Sequence, residues 1–177
     1  MPQLESVANV WLERIPKLED GRRNPGLDPA AAAKLFDDLL KQGESAINSV
    51  IGSLGDIDNG KDWKTRLLLH GLVIHTGAQD RQKDRARLEQ FYAAALLDER
   101  SAATKTFLAM QLQWFATGPA VPALAAQLAS DDIQLVNAAA AALTAIGEPA
   151  VEALKRAQSK AAGPAKTAID HALKQIR

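Results

Sequence analysis

Apolar residues recur along this chain at helical spacing, in blocks separated by short runs rich in glycine, proline and asparagine. Leu4 to Leu18 reads as an amphipathic helix with Val7, Trp11, Ile15 and Leu18 on one side. The run Glu19 to Gly26 reads as a loop from its Gly, Pro and Asn content. Asp28 followed by Pro29 marks a helix start, because Asp accepts from free amides and Pro is tolerated at the first position. That helix runs through Leu35, Phe36, Leu39 and Leu40 and stops near Gly43. Residues 44–54 form a short helix, and a loop from Gly55 to Lys61 leads to Asp62 and a long helix ending at Thr76-Gly77. Gln79 to Leu97 is a helix with charged opening turns and Leu88, Phe91, Tyr92, Ala95 and Leu96 facing inward. Ala102 to Ala116 is apolar almost all round, with Phe107, Met110 and Trp114 on one side and Leu108, Leu112 and Phe115 on another. This predicts a helix buried in the middle of a stack.

The pattern also repeats. Pro119-Ala120-Val121-x-x-Leu124 returns as Pro149-Ala150-Val151-x-x-Leu154, and Ala142-Leu143-x-x-Ile146 returns as Ala172-Leu173-x-x-Ile176. Gly43-Glu44-Ser45-Ala46-Ile47 matches Gly147-Glu148-Pro149-Ala150-Val151, so the repeat begins early. Each unit is a short first helix and a longer second helix, and such a pair buries its apolar face only by stacking on its neighbours. Aligning the second helices puts Leu72, Leu112, Leu143 and Leu173 in one core column and His75, Phe115, Ile146 and Ile176 in another. Arg66, Thr106, Asn137 and Thr167 share a column that the core does not claim, and Val73, Gln113, Thr144 and Lys174 share the one two turns later. Trp63 and His70 flank Arg66 by one turn. The expected partner-binding surface is therefore Trp63, Arg66, His70, Thr106, Gln113, Asn137, Thr144 and Lys174, with Trp and Arg as anchors because they dominate interface hot spots.

The Gly-x-x-Ala-Val-x-x-Leu openings and Ala-Leu-x-x-Ile closings resemble the HEAT-repeat proteins of bacteria, including the short-repeat type related to phycobilin lyases. Leu69-His70-Gly71-Leu72 and Gln111-Leu112-Gln113, upstream of Ala120-Val121-Pro122-Ala123-Leu124, strengthen the likeness. The resemblance covers roughly residues 29–177, and the last two units, at thirty residues, fit the short-repeat branch. It implies an all-α, right-handed α-α superhelix of about four helix pairs behind an N-terminal capping helix. The whole chain, 1–177, is then one domain: cap and loop over 1–27, repeats over 28–177. It implies a concave face lined by second helices and a non-enzymatic scaffold or adaptor that holds another protein, with no cofactor. Two other function classes stay open: a bilin-lyase-like chaperone or transferase, and a nucleic-acid-binding HEAT-like protein.

Composition narrows these options. Alanine fills roughly a fifth of the positions, which favours helices and close helix contacts. There is no cysteine, so disulfides, zinc-thiolate sites and thiol nucleophiles are excluded. Lysine plus arginine balances aspartate plus glutamate at 21 each, which argues against nucleic acid. Residues 1–62 carry seven basic and eleven acidic side chains (−4), whereas 155–177 carry six and one (+5). One reading is polar outer faces on terminal repeats; the sharper one is head-to-tail self-association or docking on an acidic partner. No window approaches eighteen uninterrupted apolar residues, and no signal-peptide pattern follows Met1, so the expectation is a cytoplasmic chain without membrane contact.

Candidate chemistry is sparse. His70 and His75 are five apart, the wrong spacing for a helical metal pair, and His75 falls in a core column as a hydrogen-bonded structural histidine. Asp56-x-Asp58-Asn59-Gly60 has its glycine one position early for a calcium loop and reads as a turn. Arg81, Lys83, Arg85 and Arg87 form a basic run interrupted by Asp84; residues two apart do not share a helix face, and the run reads as a solvated helix. Glu44 and Glu148 favour helix N-termini. No phosphate loop, nucleophile elbow or catalytic triad pattern is present.

Overall fold

The alanine-rich segments bounded by Asp, Pro and Gly fold, in the computed structural model, into ten α-helices and three 3₁₀ turns, with no strand among the described residues, 2–17, 27–55 and 61–176. Leu18, the Glu19–Gly26 loop and the Asp56–Gly60 turn lie outside the described residues. Contacts divide the chain into two compact units, Met1–Asp84 and Arg85–Arg177.

In the first unit α1 (Pro2–Leu12) packs on α3 (Glu44–Ile51), and α2 (Pro29–Gln42) packs on α3 and on α4 (Trp63–Thr76). The first helix ends earlier than its apolar spacing predicts. Beyond Leu12 the chain turns, and the Lys64 ammonium donates to the carbonyls of Leu12 (3.2 Å) and Ile15 (2.5 Å), satisfying the orphan acceptors of the helix end. The inward stripe is Ala8, Trp11 and Ile15, while Val7, expected inside, is 42% exposed.

Asp28 opens α2 as its chemistry requires, accepting from the amides of Ala30 (2.9 Å) and Ala31 (3.0 Å). The helix closes at Gly43, whose φ of 81° and ψ of −158° fall in a region essentially reserved for glycine. That geometry lets α3 start at the next residue. Gly147, its counterpart in the sequence repeat, has the same φ of 81°, so the matched Gly-Glu openings are matched in backbone as well. Gly71 has a different purpose: a Cβ there would meet the ring of Phe36, reaching 2.7 Å from Cε1. The missing side chain is what allows α2 to seat Phe36 on α4.

The second unit begins inside α5 (Gln82–Leu97), at Arg85, and holds α6 (Ala102–Leu112), α7 (Val121–Gln127), α8 (Ile133–Ile146), α9 (Val151–Gln158) and α10 (Gly163–Gln175). Helix α8 lies between α6 and α10 and also packs on α7, while α9 packs on α7 and α10. Thus α6, α8 and α10 form one row and α7 and α9 another. Ala139, Ala140 and Ala142 of α8 are buried, and their small side chains let the neighbouring helices approach closely. Asp132 caps α8 by accepting from Gln134 N (2.8 Å) and Leu135 N (3.1 Å).

Leu72, Leu112 and Leu143 are wholly buried, as is Phe115 nearly, its ring edge-on to Tyr92 at 6.0 Å between centroids. Leu173, Ile146 and Ile176 are half-buried instead. The largest departure is α6. It ends at Leu112, one turn before Ala116, and it does not lie buried on all sides: Met110 is 50% and Trp114 73% exposed. An all-round apolar helix needs neighbours on every side, and α6 packs chiefly on α8.

Candidate functional site

Helix α6 turns Leu108, Ala109 and Leu112 into the second unit's core, so the intervening positions must face out. Those positions carry Thr106, Met110, Gln113 and Trp114. Met110 and Trp114 stand one turn apart and form an apolar ridge beside the exposed Gln113 and the half-buried Thr106. On α8 the equivalent positions of the repeat are Asn137, Ala141, Thr144 and Ala145. Asn137 is exposed; Thr144 is half-buried and its hydroxyl donates to Ala140 O at 2.8 Å. Alanines therefore stand where α6 has methionine and tryptophan, so a low, small-residue step on α8 accompanies a tall ridge on α6. On α10 the same columns hold Thr167, His171 and Lys174, all exposed. His171 and Gln175 are joined through their Nε2 atoms at 2.9 Å.

Trp63, Arg66 and His70, the other expected site residues, belong to α4 in the first unit and are all half-buried. Lys64 lies over the Trp63 ring, 5.7 Å from its centroid. Arg66 donates through Nε to both oxygens of Asp62 (3.0 Å each), and Gly55 N donates to the same carboxylate at 3.0 Å. Burial of Asp62 pushes its pKa up, but the hydrogen bonds from Arg66 and Gly55 outweigh it and hold the carboxyl below its ordinary value. Asp62 is thus spent on Arg66 and Gly55, and its side chain does not cap α4. Arg66 is fixed in place by that bond, which suits a positioned anchor better than a mobile surface charge.

His75 is structural, as its core column predicts. Its Nε2 donates to Asp37 Oδ1 (2.8 Å), and Arg81 donates to both oxygens of the same carboxylate (2.5 and 3.3 Å). The His75 and Arg81 hydrogen bonds hold Asp37 below the ordinary carboxylate pKa, against a smaller opposing effect of burial. The Phe36 ring stacks at a tilt on the His75 imidazole, 5.3 Å between centroids. The basic run is not uniformly solvated: Arg81 joins this cluster, and Arg85 donates twice to Phe115 O (3.0 and 2.7 Å) just beyond α6. Lys83 and Arg87 remain exposed.

Sequence reasoning passed over one buried carboxylate. Glu89, 2% exposed, accepts from Thr117 N (2.8 Å), Thr117 Oγ1 (2.9 Å) and Ala120 N (3.1 Å). It satisfies free amides at the entrance to α7 from twenty-eight residues away. The only signal was a Glu between the inward-facing Leu88 and Tyr92. Gln127 does a similar service, donating to Leu96 O (3.0 Å) and Ala123 O (3.2 Å).

Among the described residues no group of three or more His, Asp or Glu is placed to hold a metal ion, and no helix is long and apolar enough to cross a membrane. No protein-family model matches the chain, and a search of curated proteins finds no match.

Proposed function

We propose that this chain is a non-enzymatic scaffold of HEAT-like helix pairs that holds a protein partner on the exposed side of the second helices of the second unit, α6, α8 and α10, with a separate patch on α4 of the first unit. The observation that carries the reading is the Met110–Trp114 ridge. A methionine 50% exposed in the last turn of the otherwise well-buried α6 and a tryptophan 73% exposed in the turn just beyond it are an unusual amount of apolar surface in solvent. Large aromatic and methionine side chains are what interface cores are enriched in. Thr106 and Gln113 beside the ridge and Asn137 on the neighbouring α8 supply the polar surround that a central apolar anchor requires, and the exposed Lys174 lies beyond α8 on α10. The charged clusters of the chain have structural partners instead, as Glu89, Asp62 and Asp37 do, and this supports holding over chemistry. In the first unit the anchored Arg66 with Trp63 and His70 offers a second patch of the same character. The test is quantitative capture: the Trp114→Ala, Met110→Ala double variant should lose at least about thirty-fold in affinity for the captured partner, the equivalent of one strong hot spot. Unchanged recovery at unchanged helicity would refute the assignment.

A further inference from the structure

A second surface lies on the other row of the second unit, independent of the face just described. Between α7 and α9 runs a groove of ≈ 530 Å³ with a floor that includes Val121, Ala125, Ala153 and Ala157 and a rim carrying Arg156 and Lys160. No carboxylate lines it. Arg156 donates through Nε to Glu152 O (3.2 Å), and neither Arg156 nor Lys160 forms an ion pair with a described carboxylate. The alanine floor makes the trough wide and shallow, suited to an amphipathic helix with short apolar side chains and an acidic end.

The chain itself carries such a helix. On α1, Val7 and Val10 are 42% and 61% exposed and three residues apart, and the exposed Glu13 follows at the same spacing without a described cationic partner. From Val7 to Glu13 the stripe spans roughly 9 Å, against roughly 12 Å for the eight residues of α9. Charge at the stripe is local: residues 1–18 balance Glu5 and Glu13 against Arg14 and Lys17, Arg14 is held by Asp38 (2.9 Å), and Glu13 supplies the charge that the two groove cations meet. We infer that the α7–α9 groove of one copy receives the Val7–Val10–Glu13 stripe of a second copy, with Arg156 and Lys160 meeting Glu13. The contact is head-to-tail, so a joined pair leaves one groove and one stripe free, and assembly continues to a ring or an open chain. A contact of this size is weak and salt-sensitive.

The absence of cysteine makes the test direct. Val10→Cys and Ala157→Cys single variants of the full chain are mixed and oxidised, and each is also oxidised alone. The inference predicts that the crossed dimer exceeds either like dimer by at least about five-fold, and that Arg156→Glu with Lys160→Glu reduces it by about ten-fold, as does raised salt. Both cations are exposed, and circular dichroism verifies that their reversal leaves the fold intact. Adding Glu13→Arg to the stripe-bearing copy should restore part of the crossed product with the reversed groove. Crossed and like dimers in equal yield, a crossed dimer indifferent to charge reversal, or monomers throughout in sedimentation at high concentration would each overturn it and leave the groove to a different acidic partner.

Discussion

The two units solve the same helix-packing problem with different chemistry. In residues 1–84 charged side chains tie separate elements, Asp37 to His75 and Arg81 and Asp38 to Arg14 (2.9 Å), and also pair locally, Asp62 with Arg66 at the start of α4 and Asp38 with Lys34 (3.3 Å) within α2. In residues 85–177 small apolar residues carry the packing, and Glu89, Gln127, Arg85 and the caps Ser101 and Asp132 bond backbone, with Gln158 to Asp170 (2.5 Å) as a side-chain tie between α9 and α10. Side chain to side chain ties between exposed partners are worth little each and respond to pH and salt. Buried bonds to backbone amides are costly to lose, because the amide stays behind unsatisfied. The first unit should therefore be the more sensitive to solution conditions and the second to single substitutions.

Glu89→Ala is the sharpest way to break that contrast. It removes the carboxylate partner of two amides and a hydroxyl ahead of α7, leaving Ala120 N only a long bond to Thr117 O (3.3 Å), and should cost the second unit about 3 kcal/mol in urea denaturation. A cost below 1 kcal/mol would show that water replaces the carboxylate. Gly71→Ala in the first unit comes next: the new methyl collides with the Phe36 ring, at about 2 kcal/mol. Combining it with Phe36→Leu should recover part of the loss, since the two changes share one contact.

The smallest effect is on acid stability. Asp37, Asp38 and Asp62 all titrate below the ordinary carboxylate value in the folded chain. The unfolded chain therefore takes up these protons first, so the stabilisation is complete above the unfolded pKa and is lost as pH falls through the lower folded values. Backbone exchange in residues 27–84 should lose protection below roughly pH 4, with less than about 1 kcal/mol from the half-exposed Asp37. Asp37→Asn should flatten that dependence.

Much of this architecture is written in local chemistry. Asp28-Pro29 and the Gly43 and Gly147 openings mark helix boundaries because capping and positive φ are properties of single residues. The column of Leu72, Leu112 and Leu143 follows from period alone. Trp114 and Met110 could not be placed this way: a helix apolar on all sides has no period to say which side faces out, and that depends on where α8 lies. Glu89 was hidden for a related reason, since its partners at Thr117 and Ala120 are distant in sequence. Val7 was misplaced because Val7 and Ala8 are adjacent apolar positions, and the packing of α1 on α3 puts Ala8 inside and leaves Val7 exposed. In each case the missing information was a neighbour brought in by the fold.

The measurement that bears most directly on the proposed role is affinity capture of the full chain from its native source. Quantitative mass spectrometry would compare the unsubstituted protein with the Trp114→Ala, Met110→Ala variant and with Arg156→Glu, Lys160→Glu on the other row. The account predicts a specific protein retained by the unsubstituted chain and by the second variant, and depleted at least about ten-fold by the first. Equal retention by all three, or loss only with Arg156 and Lys160 reversed, would contradict it.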